Sequence, residues 1–220
     1  MDVLSYLLGK ESSGGGGGGS SLDWSAIGYS DTPQGIIDGY NYAKNIYDNW
    51  DSSQTNLSYK YMNNKELSIF PLVNTSNATN MYGMFNGCLA LIGVPKFDTS
   101  NNTQMGNMFY NCQGLTSVPL FDTSKVTDMQ AAFKNCNSLK NVPLFDTPKV
   151  QYMDTMFNSS PNLTDTSLDN ILQMCINAVS YKSTKTLNAL GFSSSNYPAT
   201  RIQALPHYQD FIDAGWTIGY

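Results

Sequence analysis

Histidine and glutamate are almost missing from these 220 residues, with one of the first, His207, and two of the second, Glu11 and Glu66. General acid–base catalysis and metal binding draw on those side chains, so most enzyme classes lose their parts at once. A nucleophile triad has no plausible base, and no aspartate spacing singles out the carboxylate pair of a glycosidase. Charge is scarce too, at 13% of residues, with 12 basic against 17 acidic side chains and a formal net charge of −5. An acidic chain with few cations is a poor partner for nucleic acid. No apolar run approaches the roughly 18 residues of a membrane span. The first ten residues lack the basic n-region and small-residue cleavage site of a signal peptide, so classical secretion is not expected. The four cysteines form no Cys-x-x-Cys pair, and neither a metal nor another cofactor is expected.

What the chain does have is an internal period. Phe85, Phe109, Phe133 and Phe157 recur with a 24-residue period, and the same interval joins Met81, Met105, Met129 and Met153. Cys88, Cys112 and Cys136 follow it and end at Ser160, while Leu91, Leu115, Leu139 and Leu163 form another column. Val94-Pro95, Val118-Pro119 and Val142-Pro143 precede Phe97-Asp98-Thr99-Ser100, Phe121-Asp122-Thr123-Ser124 and Phe145-Asp146-Thr147-Pro148. Four units are clear. A fifth, degenerate one precedes them, with Leu67 to Leu72 matching Leu115 to Leu120 and Trp50-Asp51-Ser52-Ser53 in the Phe-Asp-Thr-Ser place.

A unit this short cannot bury its own apolar face and does so only against its neighbours, so equivalent residues are expected to stack as ladders. The Asp-Thr-Ser groups are expected at corners, because short polar side chains hydrogen-bond nearby backbone. On that reading the aspartates cap turns rather than hold a cation, and the cysteines, Cys175 included, are small buried apolar groups. Six Asn-x-Ser/Thr triplets, at Asn56, Asn74, Asn77, Asn101, Asn158 and Asn162, are what an Asn/Ser/Thr-rich chain produces by chance.

The run Met-Phe-x-x-Cys-x-x-Leu followed by Val-Pro-x-Phe-Asp-Thr-Ser-x-Val-Thr-x-Met resembles the BspA-like, bacterial-surface-protein type of leucine-rich repeat, found in adhesins and in phage and prophage structural proteins. The resemblance covers about residues 50–163, with Ala132 and Ser160 as departures from the pattern. It implies an α+β repeat fold, a short leucine-rich-repeat solenoid of 24-residue period with N- and C-terminal helical caps. The tail after Leu163 is similar to those of repeat-bearing phage proteins, which implies a virion component.

The flanks divide as residues 1–11, a docking peptide with Val3, Leu4, Leu7 and Leu8 on one helical face; 12–21, a flexible Gly/Ser linker; 22–49, an N-terminal cap; and 164–220, a C-terminal helical cap. In the first cap, Thr32-Pro33 reads as a helix start with Ile36, Tyr40, Ala43 and Tyr47 as its stripe. In the second, Thr166 to Asp169 reads as a capping box before Leu168, Ile171, Leu172, Cys175, Ile176 and Val179. A further short helix is expected after Pro206, through Tyr208, Phe211 and Ile212, with its stop at Gly215.

Between the constant columns lie variable ones, and these supply the candidate binding face: Tyr82 and Gln130 in one column, Tyr110 and Lys134 in a second, Lys96 in a third. The function this implies is non-enzymatic: a virion protein anchored to a capsid or tail component through residues 1–11, its repeat face turned to a host-surface protein or glycan. A bacterial cell-surface adhesin is the alternative, and a cell-surface polymer hydrolase a more distant one.

Overall fold

The computed structural model describes the backbone from Pro33 and the side chains from Asn41 through Tyr220. Residues 1–32 lie outside the described part, so the docking residues Val3, Leu4, Leu7 and Leu8, the linker and the Thr32 cap are not located by it.

From Trp50 to Leu163 the chain winds as a series of coils, one per sequence repeat, laid one upon the next. Parallel bridges tie each coil to the following one, running Asn56 to Asn80, Asn80 to Gln104, Gln104 to Asp128 and Asp128 to Tyr152 along one side. A second line joins Ile69 to Gly93 and Ser117 to Asn141. None of these grows into a longer strand among the described residues, because the segment after each bridge alternates two kinds of hydrogen bond. In the coil beginning at Met81, the N–H groups of Met81, Gly83, Phe85 and Gly87 donate to the carbonyls of Gln104, Gly106, Met108 and Tyr110 in the next coil. Those of Met84, Asn86 and Cys88 turn back to Met81, Gly83 and Phe85.

That alternation demands two left-handed residues per coil, four positions apart. The described residues place φ between 52° and 75° at Tyr59 and Asn63, Gly83 and Gly87, Asn107 and Asn111, Ala131 and Asn135, and Thr155 and Ser159. Glycine and asparagine fill most of these places because they enter this region at least cost.

Inside the coils the columns stack as ladders. Phe85, Phe109, Phe133 and Phe157 are nearly parallel at centroid separations of 5.5, 5.6 and 5.6 Å, with Phe97, Phe121 and Phe145 as a second file beside them. Each fully buried ring contributes about 1.5–3 kcal/mol of apolar burial. The threonines of the Asp-Thr-Ser corners are buried too, and the Oγ1 atoms of Thr75, Thr99, Thr123 and Thr147 donate to the carbonyls of Asp98, Asp122, Asp146 and Met174 at 2.6–2.9 Å. The corner aspartates accept their own neighbours' N–H groups, Ser100 to Asp98 at 2.8 Å and Ser124 to Asp122 at 3.0 Å. Both carboxyls are held below the usual range, Asp98 chiefly by the Ser100 N–H and Asp122 chiefly by the Ser124 hydroxyl.

The first coil differs from the rest at its end. Lys60 takes the place filled by Met84, Met108, Ala132 and Met156, and Asn64 the place of the cysteines. The Lys60 ammonium bonds the Gln54 side chain at 2.7 Å and lies over the Trp50 ring. Helix α1, Pro33–Asp48, turns Ala43 and Ile46 inward and leaves Tyr47 exposed. The stripe predicted through Tyr47 is therefore off by one residue at its C-terminal end: Ile46, at i+3 from Ala43, is the side chain that packs.

At the other end, α2 spans Asp165–Asn177 with Thr164 as its N-cap, accepting the Ser167 N–H at 3.3 Å. The capping box expected from Thr166 is displaced by two residues, because Ser167 is drawn inside to bond Lys140 and Val142 backbone. Leu168, Ile171, Leu172 and Cys175 are buried as expected, whereas Val179 lies past the helix and is exposed. Two shorter helices follow, α3 at Ala199–Gln203, which the periodicity did not suggest, and α4 at Tyr208–Asp213, ending at a left-handed Gly215. The C-terminal region is not only helical. The N–H groups of Thr155 and Phe157 donate to Ala189 and Leu190, so residues 187–192 occupy the place of one more coil, and a bridge from Thr186 to Thr217 adds a further layer.

Candidate binding surface

The outward positions of the turn-rich segment are those two residues before and two after the buried Met84, Met108, Ala132 and Met156. They carry Tyr82, Gly106, Gln130 and Asp154 in one column and Asn86, Tyr110, Lys134 and Asn158 in the other. Four of the five predicted face residues thus share one strip. Lys96 does not: it lies on the second bridged segment, in a column with Leu72, Leu120 and Leu144, and its charge is felt by Asp122. Leu120 and Leu144 are exposed there.

Within the strip the aromatic rings are placed by the backbone beneath them. A Cβ on Gly83 would meet Tyr59 Cε1 at 2.5 Å, and one on Gly106 would meet Tyr82 Cε2 at 2.7 Å, so each ring lies on a glycine of the following coil. The two rings meet edge to face at 5.5 Å. The Asn107 amide donates to the Tyr82 hydroxyl, fixing that ring. Burial chiefly, with lesser contributions from Tyr59 and Asp128, pushes the Tyr82 phenol up. Asp128 reaches the same notch, its Oδ2 3.0 Å from the Gly106 Cβ direction, while its Oδ1 accepts the Gln130 N–H at 2.8 Å. Desolvation raises the Asp128 carboxyl, the opposite of the corner aspartates. Further along, the Lys134 ammonium lies 5.9 Å over the Tyr110 ring and Lys182 lies 5.7 Å over Tyr152. Tyr59, Met62 and Tyr152 are 44–47% exposed, a share that leaves them reachable by a partner. Tyr59 and Met62 were missed because they belong to the degenerate first unit; stepping back one period from Gly83 and Asn86 would have located them.

Three of the cysteines and the histidine of the described part make structural hydrogen bonds. The thiols of Cys88, Cys112 and Cys136 donate to the carbonyls of Tyr61, Phe85 and Phe109 at 3.0–3.1 Å, and Ser160 does the same to Phe133 at 2.7 Å. The column is therefore a file of hydrogen-bond donors as well as of small buried groups. Burial pushes the Cys88 and Cys136 thiols up to about 12, which suppresses the thiolate that nucleophilic or metal chemistry needs. Among the described residues no cluster of three or more His, Cys, Asp or Glu side chains is arranged to hold a metal ion. His207 bonds Asp169 twice, its N–H to Oδ1 at 3.0 Å and its Nδ1 against Oδ2 at 2.7 Å, which clasps α4 to α2. The amides of Asn77, Asn101 and Asn162 donate to the preceding coil's backbone, at Ser52, Ser76 and Asn137. Those triplets accordingly have a structural reason to carry asparagine. Among the described residues no helix is long and apolar enough to cross a membrane.

Residues 36–141, from α1 into the fourth coil, match a family described as Mycoplasma protein of unknown function, DUF285. Nothing among curated proteins or solved structures matches the chain.

Proposed function

We propose that this chain is a non-enzymatic display protein whose coils form a BspA-like leucine-rich-repeat solenoid and offer the Tyr59–Tyr82–Tyr110 strip to a surface ligand. The observation that carries this reading is the use of two left-handed positions per coil and of the inward Phe, Met, Cys and Leu columns to build the stack. The freely varying groups then lie on an extended strip, which is how repeat proteins bind. In the form we favour, Val3, Leu4, Leu7 and Leu8 dock to a capsid or tail protein of a phage or prophage particle. The Gly/Ser linker gives reach, and many copies per particle turn weak contacts into avidity.

Removing residues 1–21 tests the placement. Particles assembled with the shortened chain should lose the protein while its thermal transition stays where it was; retention on the particle overturns the anchor. A bacterial cell-surface adhesin is the second reading; the description of the matched family names a bacterial genus and assigns no function. Labelling of intact producing cells by an antibody to the repeat strip separates the two, since the virion reading gives label on particles and none on cells.

A further inference from the structure

Tyr59 is one of two bulky or β-branched residues, with Thr155, that the column holds in the left-handed region. It holds φ at 55°, where the other coils carry Gly83, Asn107, Ala131 and Thr155, and a bulky side chain in the left-handed region costs on the order of 1 kcal/mol. Burial does not offset that cost in the usual way, because the side chain remains 47% exposed. An asparagine would sit there more easily. What tyrosine adds is a ring in a corner, edge to face with Tyr82, above Gly83 and beside the immobilised Tyr82–Asn107 pair.

The polar groups at this corner are the Asn107 amide, bonded to the Tyr82 hydroxyl, and the half-buried Asp128, with Asn86 and Gln130 further along the same strip. Amides offer donors and acceptors together, which matches hydroxyl groups that are themselves both; a proline-rich peptide presents almost only acceptors. An aromatic face takes the apolar C–H side of a sugar ring, and amides and a carboxylate at its margin take the hydroxyls. From this juxtaposition we infer that the Tyr59–Tyr82 corner is a subsite for a neutral pyranose within a linear polysaccharide. Successive coils repeat near the ~4.8 Å strand spacing, so the ligand can run along the strip toward Tyr110. The inference rests on the reading of the strip as the binding surface and specifies its ligand.

The test uses the full chain. Cellohexaose, maltohexaose and chitohexaose serve as neutral probes, with polygalacturonate and a proline-rich decapeptide as contrasts, read by ligand-observed saturation-transfer NMR and calorimetry. At least one neutral hexasaccharide should bind with saturation strongest at ring C–H protons. The Tyr59→Asn variant should weaken that binding at least tenfold while the chain still unfolds in one cooperative thermal transition, since asparagine suits the left-handed position. No binding by any neutral probe, or an affinity unchanged in Tyr59→Asn, overturns the inference, as does binding confined to the peptide or the anionic polymer. Adsorption of the purified chain to envelope preparations distinguishes the two levels. If adsorption persists but Tyr59→Asn and the neutral oligosaccharides leave it unchanged, the sugar subsite fails and the surface-attachment reading stands. If adsorption is absent, both fail.

Discussion

Asn102 is fully buried in a column whose other members are Ala78, Val126 and Val150. Its Oδ1 accepts the Gln104 N–H at 3.3 Å, and its Nδ2 has no partner. A buried amide donor left unpaired costs about 1–3 kcal/mol, so Asn102→Val should stabilise the chain by about 1–2 kcal/mol once the weak Gln104 bond is subtracted. The backbone accepts the change, because Ala78, Asn102, Val126 and Val150 all donate their N–H to the corner threonine three residues back. The Gln104 N–H also has an alternative: Asn80 and Tyr152, its column mates, donate to the Thr55 and Thr127 carbonyls, which makes Thr79 available to it. For a chain of this size the gain corresponds to a rise in Tm of about 3–6 °C, measurable by scanning calorimetry. Asn102→Ala should fall between, since it removes the unpaired amide but leaves space unfilled. A fall in Tm for Asn102→Val would refute the reasoning and show that the amide is satisfied in solution.

Ala132 borders a small apolar void of about 10 Å³ together with Met108, Phe109, Phe121, Met129 and Phe133, and Ala132→Met, which restores the column residue, should stabilise by about 1 kcal/mol; a lower denaturation midpoint would mean the neighbours cannot yield. Asp128→Asn keeps an acceptor for the Gln130 N–H, as Asn80 does for Tyr82. Because burial raises the folded carboxyl above its unfolded value, the wild type loses stability as pH rises through that raised value. The variant should therefore melt higher at pH 7, with the difference vanishing below the unfolded carboxyl pKa of about 3.9; a pH-independent difference would contradict this. Lys60→Met carries the Met column into the first coil and removes an exposed charge at that end of the stack, of the kind that blocks pairing between molecules. Sedimentation velocity should then show self-association growing with concentration, and a profile identical to wild type would count against an edge-guarding role.

The period itself, the inward Phe, Met, Cys and Leu columns and the corner role of Asp98 and Asp122 were legible because each repeats one physical requirement several times over. The left-handed positions were harder. Gly83, Asn107, Ala131 and Thr155 look like a freely varying column, and only the run of Gly and Asn at 87, 111 and 135 hints that backbone conformation, not side-chain chemistry, is what the place selects. Lys96 was grouped with Tyr82 because both vary, but variation along a column does not tell which side of a coil it faces. The handover after Phe157 was hidden for a different reason: Ala189 and Leu190 arrive well beyond the repeat interval, after a helix, so a search at the fixed period passes them by. Ile46 displaced Tyr47 from the inner face because i+3 and i+4 are both helical neighbours, and packing against the first coil decided between them.

The departures that accompany the handover to α1 and to residues 187–192 lie in the first and last repeat coils. Lys60 and Asn64 mark one end, and Ser160, which donates to Phe133 and whose carbonyl accepts from the Tyr197 hydroxyl, marks the other. Nothing in the interior coils records how many of them there are. An in-frame gain or loss of the coding sequence for one repeat would add or remove one coil and leave both ends as they stand. Each such change would lengthen or shorten the strip by one step of about 5 Å without a new terminus.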